Sequence, residues 1–86
     1  QQTLFAMNSP FVLDQARRAA ATTATIAEPA ARVEALTQQI LSRRATPAEI
    51  EMATAYVQQA GTAPGLNPWE RLAQILMLTN EFLFVD

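Results

Sequence analysis

Apolar residues recur along the chain at the three- and four-residue intervals of amphipathic helices. Proline near the start of each pattern marks where a helix begins, because its missing N–H is harmless in the first helical turn. The four helix-opening prolines are Pro10, Pro29, Pro47 and Pro68. We therefore predict an all-α fold, a compact bundle of about four helices spanning about 9–26, 29–44, 47–60 and 68–82.

Polar residues able to cap a helix come just before these prolines. Asn8 or Ser9 is expected to cap the first helix, because a side-chain oxygen there accepts from the free N–H groups of the first turn. The segments 46–49 and 67–70 have the pattern of a capping box, in which two side chains satisfy two backbone N–H groups. The third and fourth helices therefore have the clearest predicted starts.

The first three helices each have one apolar face, and the fourth is apolar on nearly every side. A helix of the latter kind is central, or is covered by something outside the chain. Residues 82–85 either continue the fourth helix or form an extended segment, and residues 4–7 are expected to form a short helical turn. The residues predicted to face the core are Val12, Ala16, Ala19, Thr23, then Val33, Leu36, Ile40, Leu41, then Ile50, Ala53, Val57 and Ala60, with Met52 and Tyr56 flanking the last group.

Charged residues and glycine add detail to the helices. Two ion pairs at i,i+4 spacing are expected, Asp14 with Arg18 and Glu28 with Arg32. Arg43 and Arg44 are expected at the C-terminal end of the second helix, where cations offset the helix dipole. Gly61 is expected to end the third helix, because glycine readily adopts a left-handed conformation.

Composition excludes several kinds of chemistry. The 86 residues contain neither cysteine nor histidine, so thiolate nucleophiles, disulfides, histidine bases and the commonest metal ligands are absent. Only 16% of residues are charged, which leaves apolar surface to be covered by the helices or by a partner. No apolar run approaches the roughly 20 residues of a membrane span, and the first residues lack a signal-peptide pattern.

The net charge of −2 does not suit a nucleic-acid binder. Arg43 and Arg44 lie between two predicted helices and suggest a helix-turn-helix, with the third helix as the recognition helix. That helix has Glu49 and Glu51 near its start and no Arg or Lys from 45 to 60, so it would repel phosphate. We therefore expect no nucleic-acid partner.

No residue constellation suggests a catalytic, cofactor or metal site. The carboxylates fit helix caps, ion pairs and polar faces. Asn80 and Glu81 are more unusual, because they interrupt the most apolar stretch, although asparagine also commonly ends helices. The candidate interface or positioning residues are Asn8, Trp69, Asn80, Glu81, Phe82 and Phe84.

Three segments resemble a planctomycete-type family of unknown function. Residues 4–12 resemble a segment near the end of such proteins. Residues 40–50 are similar to the family's Leu-x-Arg-x-x-Thr-Pro-x-Glu helix junction, and residues 69–74 and 80–86 resemble its C-terminal signature. The resemblance implies an exported bacterial protein, often with cytochrome-c-like domains upstream, and implies no activity. This chain lacks the Cys-x-x-Cys-His needed to attach a haem.

We expect one domain over residues 1–86, a C-terminal piece of a longer protein, since the first methionine is Met7. The first hypothesis is a non-catalytic interaction or scaffolding module that contacts upstream domains or a second copy. The alternative is one wall of an enzyme site whose catalytic residues lie upstream, with Asn8, Asn80 or Glu81 positioning the substrate. Helix-turn-helix binding to nucleic acid is the least favoured hypothesis.

Overall fold

The structure, a computed structural model, describes residues 9–60 and 65–85, with side chains described as far as Thr79. These residues form four helices and no strand, which confirms the predicted all-α bundle. The Cα radius of gyration is 12.3 Å, close to the roughly 12 Å expected of a folded chain of this length. The helices are α1 (Pro10–Thr22), α2 (Pro29–Leu41), α3 (Pro47–Gln59) and α4 (Pro68–Val85).

All four helices begin at the predicted prolines, and three have side-chain caps. Thr46 Oγ1 accepts from the Glu49 N–H at 3.1 Å, while Glu49 Oε1 accepts from the Thr46 N–H at 2.8 Å. Asn67 and Glu70 make the same reciprocal pair. Ser9 occupies the capping position of α1 but makes no side-chain cap bond, so that part of the prediction was wrong. Asn8 lies outside the described residues.

The helix ends differ from the prediction. The first helix ends at Thr22, not at 26. Thr23 follows in a turn, and its hydroxyl donates to the carbonyls of Ala19 and Ala20. The second ends at Leu41, not at Arg44, because Ser42 is left-handed with φ of 60°. The third ends at Gln59, one residue early. The fourth continues to Val85, so residues 82–85 are helical. Gly61 and the predicted turn at 4–7 lie outside the described residues.

The core lies where α1, α2 and α4 meet. Its buried residues come from those three helices, and side chains of α3 pack against it without being buried themselves. The predicted stripe of α1 is buried throughout, and α4 packs on all three other helices, as a central helix should. Leu66, just before α4, is also buried, which the helical spacing did not predict. The core cluster is Ala16, Ala19, Val33, Leu36, Leu72 and Ala73.

The difference between the first and third caps gives a matched pair of variants. Thr46→Ala removes a cap hydrogen bond and should lower the free energy of unfolding by about 1 kcal/mol. Ser9→Ala removes no such bond and should change the free energy by about 0.5 kcal/mol or less. Urea denaturation followed by circular dichroism measures both. Equal losses in the two variants would contradict the assignment of the caps.

Candidate interaction surface

The structure places one of the predicted site residues in a defined environment. Trp69 lies in the first turn of α4, is half-buried and packs against the core cluster. Residues 80, 81, 82 and 84 lie on the last turns of α4, and their side chains are outside the described part of the structure, as is Asn8 entirely. The predicted role of these residues in an interface or in positioning a substrate therefore stays a prediction.

Arg32 of α2 contacts two other helices: α4 through the ring of Trp69, and the C-terminal end of α1 through hydrogen bonds. The guanidinium carbon lies 4.3 Å from the centre of the Trp69 ring, within the range of a cation–π interaction. Arg32 Nη2 donates to the Ala20 carbonyl at 2.9 Å, and Nε donates to Thr23 Oγ1 at 3.2 Å. A cation thus binds the C-terminal end of α1, where the helix dipole favours positive charge.

The predicted ion pair between Glu28 and Arg32 was wrong. Glu28 Oε1 accepts from the Ala30 N–H at 3.1 Å and so caps α2. Arg32 turns towards α1 and α4, and its partial burial there lowers the pKa of its guanidinium. The other predicted pair is confirmed, because Arg18 Nε donates to Asp14 Oδ2 at 3.1 Å on the exposed side of α1.

Arg43 binds Glu49, the capping-box residue in the first turn of α3. Its Nη1 and Nη2 donate to the two carboxylate oxygens of Glu49 at 2.9 and 2.8 Å. This hydrogen bond is the main cause that lowers the pKa of Glu49 from 4.5 to about 2. The expected role of Arg43 in the last turn of α2 was wrong, since that helix ends before it. The arginine holds the connection between α2 and α3.

A shallow depression of about 680 Å³ lies beside this connection. Glu34 Oε2 accepts from the Ala45 N–H at 3.2 Å and lies 3.6 Å from Arg44 Nε. Both contacts of the Glu34 carboxylate stabilise the connection between α2 and α3. Arg44, like Arg43, lies beyond the last turn of α2, so its expected place in that turn was wrong. The lining residues are Glu34, Arg44, Ala45, Thr46, Pro47, Ile50 and Glu51.

The described residues contain no group of three or more acidic side chains that could hold a metal ion. Two buried polar atoms, Thr54 Oγ1 and Arg71 Nε, have no hydrogen-bond partner among them. Each is a single atom of a half-buried side chain, so neither defines a ligand site. Within the described part of the chain, no helix is both long and apolar enough to cross a bilayer.

Large apolar side chains are exposed on three helices. Phe11 of α1 is 68% exposed, Ile75 of α4 is 39% exposed, and on α3 Met52 and Tyr56 are 72% and 37% exposed. Met52 and Tyr56 are four residues apart and therefore neighbours on one helix. The sequence placed them beside the predicted buried stripe of α3 but did not show how far they project. Their exposure follows from the position of α3 at the edge of the core.

These observations define a small all-α domain whose described carboxylates and arginines mainly support its own helices. Residues 1–57 match the model of the family described as PSD1, protein of unknown function (DUF1553). The chain belongs to this family. Neither a curated protein nor a solved structure matches it.

The contact between Arg32 and Trp69 predicts a loss of stability when it is removed. Arg32→Ala should lower the free energy of unfolding by about 1–2 kcal/mol, because it removes a cation–π interaction and two charge-assisted hydrogen bonds. Arg17→Ala, on an exposed position of α1, should cost about 0.5 kcal/mol or less. Fluorescence of the single tryptophan follows unfolding. The assignment fails if the two variants unfold alike.

The Arg43–Glu49 pair predicts a pH dependence of stability. Because folding lowers the pKa of Glu49 from 4.5 to about 2, its contribution is full above pH 4.5 and disappears as pH falls towards 2. Glu49→Gln should flatten the stability curve in this interval. Arg43→Gln should raise the pKa of Glu49 in the folded chain. The pH interval over which stability changes should then become narrower at its acidic end. Thermal melts across the pH range test both, and an unchanged slope in Glu49→Gln would refute the linkage.

Proposed function

We propose that this chain is a non-catalytic helical interaction module at the C-terminus of a larger, exported bacterial protein of the planctomycete type. The observation that carries the proposal is the outward face of α3, where Met52 and Tyr56 are exposed next to each other. Exposed apolar groups of this kind typify surfaces that contact another protein.

The position of α3 supports this assignment. None of its thirteen residues is buried, whereas α1, α2 and α4 all contribute buried residues to the core. The outward side chains at positions 48, 52, 55, 56 and 59 carry no charge, and Glu51 is the charged residue exposed at the edge of this face. A surface helix normally has charged or polar residues on its outer face. A partner that covers this face would remove apolar surface from water.

The carboxylates support a non-catalytic role. Glu28, Glu49 and Glu70 cap helices, and Glu34 accepts a backbone hydrogen bond. A catalytic carboxylate pair needs a shared cleft and environments that separate the two pKa values.

The acidic residues of α3 disfavour a nucleic acid as the partner, since Glu49 and Glu51 lie where a recognition helix would meet phosphate.

The proposal predicts that Met52 becomes covered in the longer protein. Hydroxyl-radical labelling of this chain at low concentration should oxidise Met52 readily, because 72% of it is exposed. In the longer protein the same side chain should be protected several-fold. Met77, which packs half-buried against the core, serves as the matched control and should react equally in both samples. Equal labelling of Met52 in both samples would refute the proposed surface.

A further inference from the structure

We propose that α3 opens as a separate unit: it leaves the core and loses its helix while α1, α2 and α4 stay folded together. This inference goes beyond the proposed function and does not depend on it. Proteins open locally in cooperative units, and units with few buried contacts open at the lowest free energy. The features that set α3 apart are its shallow packing, its position outside the contacts of Arg32 and the environment of Thr54.

The packing of α3 covers the core without supplying any of it. All six residues of the core cluster come from the other three helices, and none of the thirteen residues of α3 is buried. Its inner side chains, Ile50, Ala53 and Val57, are half-buried and pack on that cluster. Within the described residues, α3 packs on α2 and α4 but not on α1. Opening of α3 therefore uncovers part of the core and removes no member of it.

The polar contacts that join the three core helices also leave α3 out. Arg32 of α2 reaches the ring of Trp69 on α4 and a carbonyl at the end of α1. Within the described part of the chain, the side-chain hydrogen bonds of α3 to residues outside it are made in its first turn, where the Glu49 carboxylate binds Arg43 and the Thr46 N–H. These bonds hold α3 to its own connection and not to the other helices.

The environment of Thr54 weakens the docking of α3. Thr54 Oγ1 is buried, and no hydrogen-bond partner for it lies among the described residues. A buried hydroxyl without a partner has lost its bonds to water and gained none in exchange, which disfavours the closed state. Opening of α3 returns this hydroxyl to water. On α2, by contrast, the buried hydroxyl of Thr37 donates to the Val33 carbonyl at 2.9 Å.

Once it leaves the core, α3 should lose its helical hydrogen bonds. It has thirteen residues, and isolated helices of about this length are marginal in water. Its backbone N–H groups then exchange with solvent deuterium, so hydrogen exchange reports the opening. The side chains of α2 and α4 that α3 covers become exposed in the same state. The open state therefore presents an apolar surface that the closed state covers.

Native-state hydrogen exchange of this chain, followed by NMR at each amide, tests the inference. The amides of residues 53–59 should share one protection factor, at least roughly tenfold below that of the core amides of Val33, Leu36 and Ala73. Low concentrations of urea should speed exchange of the core amides more steeply than exchange of the α3 amides, because unfolding of the whole chain exposes more surface.

Two variants separate the opening of α3 from unfolding of the whole chain. Ala16→Gly, at a fully buried position of a helix that does not pack on α3, should lower the core protection factors about fivefold and leave those of α3 unchanged. Thr54→Val replaces the unpartnered hydroxyl with a methyl group of nearly equal shape, and should raise the protection factors of α3 about threefold. Trp69 fluorescence checks that both variants are folded.

Three results would overturn the inference: equal protection of α3 and the core, an equal loss of protection in both groups in Ala16→Gly, or no rise in the protection of α3 in Thr54→Val. None of these results affects the labelling of Met52 in the longer protein, so this inference and the proposed function can fail separately.

Discussion

The contact between α2 and the pair formed by α1 and α4 determines the rest of the structure. Leu36 and Val33 are the largest fully buried side chains, and they pack with alanines from the neighbouring helices. Because Ala16 and Ala73 are small, the backbones must approach closely for the core to fill. These three helices supply all six residues of the core cluster. The remaining helix, α3, packs against the core from one side, and the outer face of α3 stays exposed to solvent.

The helix starts could be predicted because their chemistry is local. The prolines and the capping boxes act within four residues of sequence, and the structure shows the reciprocal bonds at Thr46 and Asn67. The helix ends were predicted less accurately, because they depend on backbone conformations that the sequence pattern does not specify. Ser42 adopts a left-handed conformation, which sequence reasoning assigns to glycine or asparagine before serine.

The environment of Arg32 could not be predicted from spacing alone. Helical periodicity places Glu28 within reach, and that contact would form in an isolated helix. In the folded chain, Trp69 and the Ala20 carbonyl lie close in space although they are distant in sequence. The exposed surface of α3 was difficult to predict from the sequence for the same reason. Periodicity identified the buried side of α3, but the size of the core decides how far Met52 projects.

Proline at the first position of all four described helices also limits which other states the chain can adopt. The residue before a proline is kept out of the α region, and the ring cannot accommodate the carbonyl of a preceding turn. Fusion of two successive helices into one straight helix is therefore disfavoured. Domain swapping, in which two copies exchange helices by straightening the connection between them into one continuous helix, is disfavoured. Each connection instead reverses the chain so that its two helices pack within one copy.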